Sequence, residues 1–328
     1  MLVARAPLRI SIAGGGTDLP FYSSKFGGDL VSAAIDKYNY IILEEREFYN
    51  ETFIRYMQNE VVKDIKDIKH TRVKAALEYN KLNEPIEITS LADVPSGTGL
   101  GSSSTYLVAL LKAIHTYKGE DVSKKEVAEE AAHIEMGILK EPIGKHDQYM
   151  ASFGGIRRLK IDKNGSVNVS VANISQSVLY DLSYNMLMFN TGVKRDAINI
   201  ISEQKINAES EEAKMELMHI IKDIGKKIIC ALEEGDLTTF GKCLNDHWNA
   251  KKKFSNNMSS TIIDRYYNIG IENGALGGKI VGAGGGGFLL FYCEDKKRVL
   301  KEAMINAGLK ELLFNFDFDG VKIVYDGR

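Results

Sequence analysis

A glycine- and serine-rich loop that runs directly into an apolar helix is the feature that most constrains this chain. The loop reads Val94-Pro-Ser-Gly-Thr-Gly-Leu-Gly-Ser-Ser-Ser-Thr105, and the apolar run Tyr106-Leu-Val-Ala-Leu-Leu-Lys-Ala-Ile114 follows without a break. We predict a serine-capped helix that begins at Ser102, and the backbone N–H groups of its first turn have no partner within the helix. Together with the positive end of the helix dipole, these groups favour an anion, most simply a phosphate.

Two common nucleotide-binding loops do not fit this segment. A Walker loop needs a lysine directly after its second glycine, and none follows Gly101. A Rossmann fingerprint needs a different third spacing from that of Gly97-Thr-Gly99-Leu-Gly101. Phosphate binding is therefore expected on another fold, although a packing role for these glycines stays open when the loop is taken alone.

Two further glycine clusters accompany this loop. The first is Ala6-Pro-Leu-Arg-Ile-Ser-Ile-Ala-Gly-Gly-Gly-Thr-Asp-Leu-Pro20, and the other is Gly277-Gly-Lys-Ile-Val-Gly-Ala-Gly-Gly-Gly-Gly-Phe-Leu-Leu-Phe-Tyr292. Glycine is costly in backbone entropy, so three clusters indicate three places that need close backbone approach or a positive φ. In order and content they resemble the three motifs of the superfamily of galactokinase, homoserine kinase, mevalonate kinase and phosphomevalonate kinase, the GHMP kinases. The resemblance covers nearly the whole chain.

Within that superfamily the chain most resembles the heptose 7-phosphate kinases. The resemblance rests on the first cluster, on Asp147-Gln148, and on Gly274-Ala-Leu-Gly-Gly-Lys-Ile-Val-Gly-Ala-Gly-Gly-Gly-Gly-Phe288. Galactokinases carry Glu-His where this chain has Gly15-Gly16, so the sugar pockets should differ. The resemblance implies ATP- and Mg²⁺-dependent phosphorylation of the anomeric hydroxyl of D-glycero-D-manno-heptose 7-phosphate to the 1,7-bisphosphate. The alternative is a fucose- or galactose-type 1-kinase that acts on an unphosphorylated sugar.

Composition agrees with a two-domain enzyme. The chain has 328 residues, 44% of them hydrophobic, and a formal charge of −2 with acidic and basic residues well mixed. This balance gives no sign of a nucleic-acid surface, and the apolar runs are too short for a membrane span. Three dispersed cysteines and six scattered histidines lack metal-ligand spacing. We expect a cytoplasmic monomer or homodimer that binds a small sugar phosphate and neither nucleic acid nor membrane.

Periodicity indicates an α+β fold. Strands are predicted over 2–13, 29–46, 86–90, 155–161, 166–172, 186–189, 279–283 and 287–292, with others near the C-terminus. Helices are predicted over 67–79, 102–117, 123–139, 196–234, 237–254, 259–273 and 295–307. The resemblance implies the GHMP kinase fold, in which an N-terminal domain like ribosomal protein S5 domain 2 is joined to a ferredoxin-like C-terminal domain. We assign these domains to residues 1–172 and 173–328.

The resemblance also implies a nucleotide and metal site. Residues expected to bind ATP are Pro95, Gly97, Gly99, Leu100, Gly101, Ser102, Ser103 and Ser104. The hydroxyl of Ser103 and the carboxylate of Glu135 are expected to bind Mg²⁺, which prefers hard oxygen ligands. A helix cap remains the alternative for Ser103, and a solvated helix charge for Glu135.

Asp147 matches the catalytic aspartate of the sugar-kinase branch, and Arg9 matches its partner. Asp147 is expected to accept or orient the proton of the attacking hydroxyl, while the charge of Arg9 would keep that carboxylate ionised. An ordinary Arg–Asp bridge is the alternative. Residues expected to bind the sugar are Gly15, Gly16, Thr17, Asp18, Asp147, Gly284 and Gly285. Asp18 could instead cap a turn.

Other side chains receive lesser roles. We interpret His146 as a packing or supporting residue rather than a base, and Trp248 as packing for its helix. Gly282, Gly284, Gly285 and Gly286 should bring the backbone close to the site. Candidates for the distal phosphate of the sugar are Lys194, Arg195 and the lysines at 251–253. A non-catalytic RNA-binding module is a third function class, and the joint presence of Arg9, Ser103, Glu135 and Asp147 argues against it.

Overall fold

The computed structural model describes residues 1–193, 201–202, 206, 212–254 and 258–328, and within them the strands form two sheets. The helices are α1 (Pro20–Phe26), α2 (Thr71–Tyr79), α3 (Ser102–Tyr117), α4 (Lys124–Ala132), α5 (His146–Phe153), α6 (Gln176–Asn185), α7 (Glu212–Glu234), α8 (Leu237–Phe254), α9 (Thr261–Glu272) and α10 (Lys297–Asn306). The strands are β1 (Leu2–Ala13), β2 (Gly28–Glu45), β3 (Thr52–Arg55), β4 (Asn59–Val62), β5 (Ile86–Ala92), β6 (Ile156–Ile161), β7 (Val167–Val171), β8 (Met186–Asn190), β9 (Gly277–Ile280), β10 (Phe288–Tyr292), β11 (Lys310–Glu311) and β12 (Lys322–Asp326). The predicted α+β class is confirmed.

The long strand β2 organises the larger sheet. On one side it pairs with β1 in antiparallel fashion. On its other side it pairs with two strands, because its first half lies against β6 and its second half against β5. The sheet order is β12-β1-β2-β5-β3-β4, with β6 and β7 attached through β2. Arg9 of β1 lies opposite Ala34 of β2, and its backbone N–H donates to the carbonyl of Leu100 at 3.0 Å.

Helix α3 packs across this sheet and supplies much of its core. Residues 107–111, 113 and 114 of the helix are fully buried, as the apolar run in the sequence predicts. Helix α4 begins at Ser123 with the predicted capping box, in which Ser123 and Glu126 exchange hydrogen bonds. A π-helical turn, His133–Ile138, then continues α4, so the predicted helix 123–139 changes its winding near Glu135.

The smaller sheet has helices on both faces, with strand order β11-β8-β10-β9. Alternate residues of β8 and β10 enter different cores, which is the period of two expected of a strand buried on both sides. Leu187, Phe189, Leu289 and Phe291 pack with residues of α9 and α10. Met188 and Leu290 instead join the core that contains Phe240 of α8.

One hydrophobic core connects the two halves of the chain. It contains Leu8, Ile10 and Ile12 of β1 together with Ile228 of α7 and Leu244 of α8. The last strand, β12, leaves the C-terminal half and pairs with β1, Leu2 opposite Asp326. The interval 173–328 therefore contributes one strand to the sheet of the N-terminal half, which the predicted division of the domains did not foresee.

Most long elements agree with the sequence predictions, and short ones account for the differences. The helices 102–117 and 237–254 have the predicted bounds. Sequence periodicity did not reveal α1, α5, α6 or the β3–β4 hairpin. The predicted helix from 196 lies partly outside the described residues. Within the described ranges, no helix has the length and apolar character that a membrane span requires.

Candidate active site

The glycine- and serine-rich loop ends in a helix N-terminus, as predicted, but its cap is not a serine. Gly101 is the N-cap residue of α3, with a left-handed φ of 78°, and no side chain caps the helix. The prediction of a serine cap was wrong because this backbone conformation favours glycine. Ser102, Ser103 and Ser104 instead line a cavity of about 290 Å³.

Most of the predicted nucleotide-binding residues lie along the same cavity. Gly97, Gly99 and Gly101 line it with the three serines. Two others are not among the lining residues. Pro95 is exposed and its carbonyl accepts a hydrogen bond from Thr98 Oγ1 at 2.9 Å. Leu100 is buried in the core, and its carbonyl accepts from the backbone N–H of Arg9 at 3.0 Å.

Arg9 joins this loop to the predicted catalytic aspartate. Its Nε donates to Asp147 Oδ1 at 2.7 Å and its Nη2 to Oδ2 at 2.8 Å, while Nη1 donates to the carbonyl of Gly99 at 2.6 Å. Such a fork fixes the plane of the carboxylate. Asp147 lies in the first turn of α5, and its side chain is 25% exposed where Arg9 is 7%. The carboxylate is therefore both held and accessible.

The first glycine cluster forms a tight turn beside this pair. The backbone N–H of Thr17 donates to the carbonyl of Gly14 at 3.0 Å. Gly15, Gly16 and Asp18 line the cavity, and the backbone N–H of Gly16 donates to Asp18 Oδ1 at 3.1 Å. Thr17 is fully buried and its hydroxyl donates to the Gly14 carbonyl, so it holds the turn. We call the part of the cavity beside Gly15, Gly16 and Asp18 the acceptor end.

Gly144 explains how Asp18 is packed. A Cβ atom on Gly144 would lie 2.1 Å from Asp18 Oδ2, a distance that no side chain tolerates. Its φ is not among the positive values, so the close approach, and not the backbone conformation, requires glycine here. Gly144 lines the cavity, and the sequence predictions did not include it.

Glu135 lies behind the cavity and not in its wall. Its side chain is fully buried, so a solvated helix charge is wrong as an alternative. Oε1 accepts from Arg72 Nε at 2.9 Å and Oε2 from Gln148 Nε2 at 2.6 Å. Arg72 lines the cavity and also pairs with Glu141 at 2.6 Å. Asp147 and Gln148, neighbours in sequence, therefore contact Arg9 and Glu135 respectively.

The last glycine cluster brings the C-terminal half against the loop of residues 94–105, which we call the nucleotide loop. Gly282 lines the cavity, and a Cβ atom on Gly287 would lie 2.1 Å from the carbonyl oxygen of Thr98. Gly284 and Gly285, which were predicted to bind the sugar, are not among the residues that line the main cavity. Gly284 borders a smaller recess beside it, and Gly285 donates its N–H to the Met258 carbonyl at 2.9 Å. This cluster therefore both joins the two halves of the chain and forms part of the wall of the site.

Burial changes the proton affinities of the polar side chains at the acceptor end. Burial first, and then the charge of Asp147, raise the pKa of Asp18 above its ordinary value. Burial lowers the pKa of His146 to about 3, so this ring is neutral near pH 7 and agrees with the packing interpretation. Burial also lowers the pKa of Lys251 to about 8, and the charge of Asp18 acts in the opposite direction.

Several lining residues have no motif that could have revealed them. Arg72, Glu141 and Ile143 reach the cavity from α2 and from the segment before α5. Lys251 was among the candidates for binding a distal phosphate, and it does line the cavity. Lys194 and Arg195 lie outside the described residues.

Two family models match the chain in its two halves. The model of the GHMP kinases N terminal domain matches residues 68–155, and that of the GHMP kinases C terminal matches residues 228–309. The D-glycero-alpha-D-manno-heptose 7-phosphate kinase of Campylobacter jejuni is 32% identical over 97% of this chain and 96% of its own length. The chain therefore belongs to the GHMP kinase family, and it is a sugar kinase of that family.

Structural and sequence comparisons also find more distant relatives. A crystal structure of a D-glycero-D-manno-heptose 1-phosphate kinase from Bacteroides thetaiotaomicron superimposes with a TM-score of 0.83. It is 26% identical, and the match covers 99% of this chain and 100% of that one. The galactokinase of Thermotoga maritima is 23% identical over 97% of both chains. The family implies the use of ATP.

Proposed function

We propose that this chain transfers the γ-phosphoryl group of ATP to the anomeric hydroxyl of D-glycero-D-manno-heptose 7-phosphate, giving the 1,7-bisphosphate. The observation that carries the proposal is the Arg9–Asp147 fork, which lies between a helix N-terminus suited to phosphates and the polar acceptor end of one cavity. Similarity to the Campylobacter jejuni kinase over nearly the full length supports the choice of sugar.

The nucleotide loop supplies the positive partial charge that phosphoryl transfer requires. The N–H groups of Ser102, Ser103 and Ser104 form the first turn of α3, and no side chain caps them. They therefore remain available to phosphate oxygens at the positive end of the helix dipole. Gly101 also lets the loop pass close to the carboxylate of Asp147, because a Cβ atom on Gly101 would lie 3.1 Å from Asp147 Oδ2. Phosphates bound to this loop would lie next to the catalytic pair.

Of the two residues predicted to bind Mg²⁺, Ser103 is available in this structure and Glu135 is not. Ser103 reaches the cavity, but both oxygens of Glu135 already accept hydrogen bonds from Arg72 and Gln148. We propose that Glu135 becomes available to the metal when Arg72 gives up its hydrogen bond, and that Arg72 then retains its pairing with Glu141. A bound Mg²⁺ would neutralise charge on the phosphates during transfer.

Asp147 is the residue that handles the proton of the acceptor hydroxyl. Its carboxylate is held by two donors from Arg9, which orient it and stabilise negative charge. One face stays accessible, so a hydroxyl in the cavity can donate to it. Buried His146 is neutral, with Nδ1 3.4 Å from Asp147 Oδ1, and supports the carboxylate without competing as a base.

The acceptor end recognises vicinal hydroxyls through Asp18. This carboxylate is 8% exposed, and Gly144 lies against it. Gly15 and Gly16 leave room for the sugar where galactokinases carry larger side chains. We therefore expect an acceptor that is larger than a hexose and has a different pattern of hydroxyls.

The test is the identity of the product. Purified protein with Mg²⁺ and ATP should convert D-glycero-D-manno-heptose 7-phosphate to a compound whose new ³¹P resonance couples to the anomeric proton. Unphosphorylated heptose, galactose and fucose should react far less efficiently, because donors for the distal phosphate would then lie unpaired. Comparable kcat/KM for galactose or fucose and for the heptose phosphate would overturn the substrate assignment and favour the galactose- or fucose-type alternative.

A further inference from the structure

A small donor-rich recess opens from the acceptor end of the cavity. We call it the inner recess, and define it by Ser11, Gly15, His247, Trp248, Lys251 and Lys279. Ser11, Gly15 and Lys251 line both the inner recess and the main cavity. None of the nucleotide-loop residues 97–104 lines the recess, so it belongs to the sugar side of the site. Its volume of about 10 Å³ has room for roughly one water molecule.

Several polar groups of the inner recess have no hydrogen-bond partner among the described residues. Within the described ranges, both ring nitrogens of buried His247 and the Nε1 of buried Trp248 have no hydrogen-bond partner. Lys279 is 3% exposed, and among the described residues its Nζ donates to a single acceptor, the carbonyl of Ile12, at 3.0 Å. Buried polar groups in native proteins are nearly always satisfied, so this concentration of donors indicates a missing acceptor.

The charges that line the inner recess also indicate a missing anion. Two lysines line the recess, and the described part of the chain contributes no carboxylate to its wall. Lys251 is 6% exposed and forms no ion pair with a described residue. Burial and the neighbouring cations lower the pKa of Lys279 well below its ordinary value, the response of a cluster without its counter-ion. An anion at the mouth of the recess would relieve this cost.

Of the three consecutive lysines on α8, only one can serve such an anion. Lys252 pairs with Asp264 at 3.6 Å and lies over the Trp248 ring. Lys253 is exposed to solvent. Lys251 alone faces the cavity, and it is electrostatically coupled to Asp18, which is in turn coupled to Asp147. Asp147, Asp18 and Lys251 therefore line the same cavity, with Asp18 within electrostatic range of the other two side chains.

We propose that Lys251, at the mouth of the inner recess, binds the phosphate monoester that the sugar acceptor already carries, with Lys279 and His247 supporting it from behind. The proposal rests on the proposed function, because it needs an acceptor with its phosphate distant from the reacting hydroxyl. A seven-carbon sugar with its anomeric hydroxyl at Asp147 extends its last carbon away from that residue, past Asp18. The recess is too small for a phosphate, so the group stays at its mouth, where a single water can join it to His247.

The test compares Lys251→Met with Lys253→Met, its exposed neighbour. For Lys251→Met, kcat/KM with heptose 7-phosphate should fall by about 10- to 100-fold, mostly through KM, with a much smaller loss for unphosphorylated heptose. Lys253→Met should behave as the wild type with both sugars. Lys251→Arg, which keeps the charge, should retain more of the preference for the phosphorylated sugar than Lys251→Met.

A second measurement separates this proposal from the proposed function. Titration calorimetry with inorganic phosphate in the presence of saturating ADP, which occupies the nucleotide loop, should give weaker binding to Lys251→Met than to wild type and Lys253→Met. A preference for the phosphorylated sugar that survives Lys251→Met would overturn the subsite and leave the function standing. If the wild type shows no preference for the phosphorylated sugar, the proposed substrate is wrong. Equal phosphate binding by all three proteins would in that case overturn the subsite as well.

Discussion

At the scale of single residues, Asp147 combines an accessible carboxylate with a fixed orientation. We expect Asp147→Asn, which keeps the shape of the side chain but removes its basicity, to lower kcat by about 10²–10⁴-fold. Steady-state kinetics with heptose 7-phosphate would measure this. Affinity for ADP and the thermal midpoint should stay near those of the wild type, since the nucleotide loop and the core are unchanged.

Asp29 provides the control for an ordinary Arg–Asp bridge. It forms an equivalent fork with Arg158, at 2.8 and 2.6 Å, away from the cavity. Asp29→Asn should therefore keep turnover close to that of the wild type, whatever it costs in stability. Equal turnover in Asp147→Asn and Asp29→Asn would mean that the Arg9–Asp147 pair has only a structural role.

The metal residues form the second prediction at this scale. Ser103→Ala and Glu135→Gln should each raise the Mg²⁺ concentration at half-maximal rate, because the first removes an oxygen ligand and the second removes the negative charge of one. Calorimetry of Mg²⁺ binding in the presence of ADP gives a readout independent of turnover. Glu130→Gln, at a glutamate of α4 outside the cavity, serves as a control. Unchanged Mg²⁺ affinity in both variants would leave Glu135 as the structural partner of Arg72.

At the scale of elements, His115 connects three helices near the end of α3. Its Nδ1 lies 2.6 Å from Glu120 Oε2 and its Nε2 lies 2.5 Å from Glu130 Oε2. Glu130 belongs to α4 and also accepts from Asn80, the C-cap of α2, at 2.7 Å. The bond to Glu130, and then that to Glu120, raise the pKa of His115 against the effect of burial.

This raised pKa predicts a pH-dependent contribution to stability. The charged ring stabilises the fold fully below its unfolded pKa, near 6.5, and this contribution is lost as pH rises through the higher folded pKa. His115→Gln should lower the free energy of unfolding by about 1–3 kcal/mol at pH 6, with a smaller difference at pH 9. Urea denaturation across this range would test it, with the exposed His133→Gln as control. A difference that does not depend on pH would contradict the assignment.

Sequence patterns predicted the elements whose signal is local and long. The apolar run of α3 and the capping box of Ser123 and Glu126 each specify a helix without outside help. Helix α5 was missed because its eight residues are stabilised by tertiary contacts, and Gln148 and Tyr149 bond to glutamates thirteen and twenty residues away. Arg72 and Gly144 were missed for a related reason, since their roles depend on what folding brings beside them.

At the scale of the whole molecule, the site depends on contact between the two halves. Gly287 has a φ of 87° and touches the Thr98 carbonyl, whereas Gly308 has a φ of 93° and a Cβ atom there would meet nothing within 4 Å. Gly287→Ala should therefore weaken ADP binding about 10-fold or more through displacement of the nucleotide loop. Gly308→Ala carries the same backbone strain and should bind ADP normally.

Calorimetric titrations with ADP and thermal midpoints should be measured for both variants. Together they separate the effect of backbone strain from the effect of the lost contact with Thr98. Both alanines adopt a left-handed conformation and should lower the midpoint, and the loss should be larger for Gly287→Ala, which also meets the Thr98 carbonyl. Similar losses of ADP affinity would mean that the contact between the last glycine cluster and the nucleotide loop is unimportant for binding.

The pairing of β12 with β1 has a consequence for how the molecule is made. On a ribosome, β1 is synthesised long before β12, so the outer edge of the strand that carries Arg9 stays open until the C-terminal half has been added. Unpaired strand edges invite pairing with other chains. Nascent chains of this protein should therefore depend on chaperones until synthesis is nearly complete.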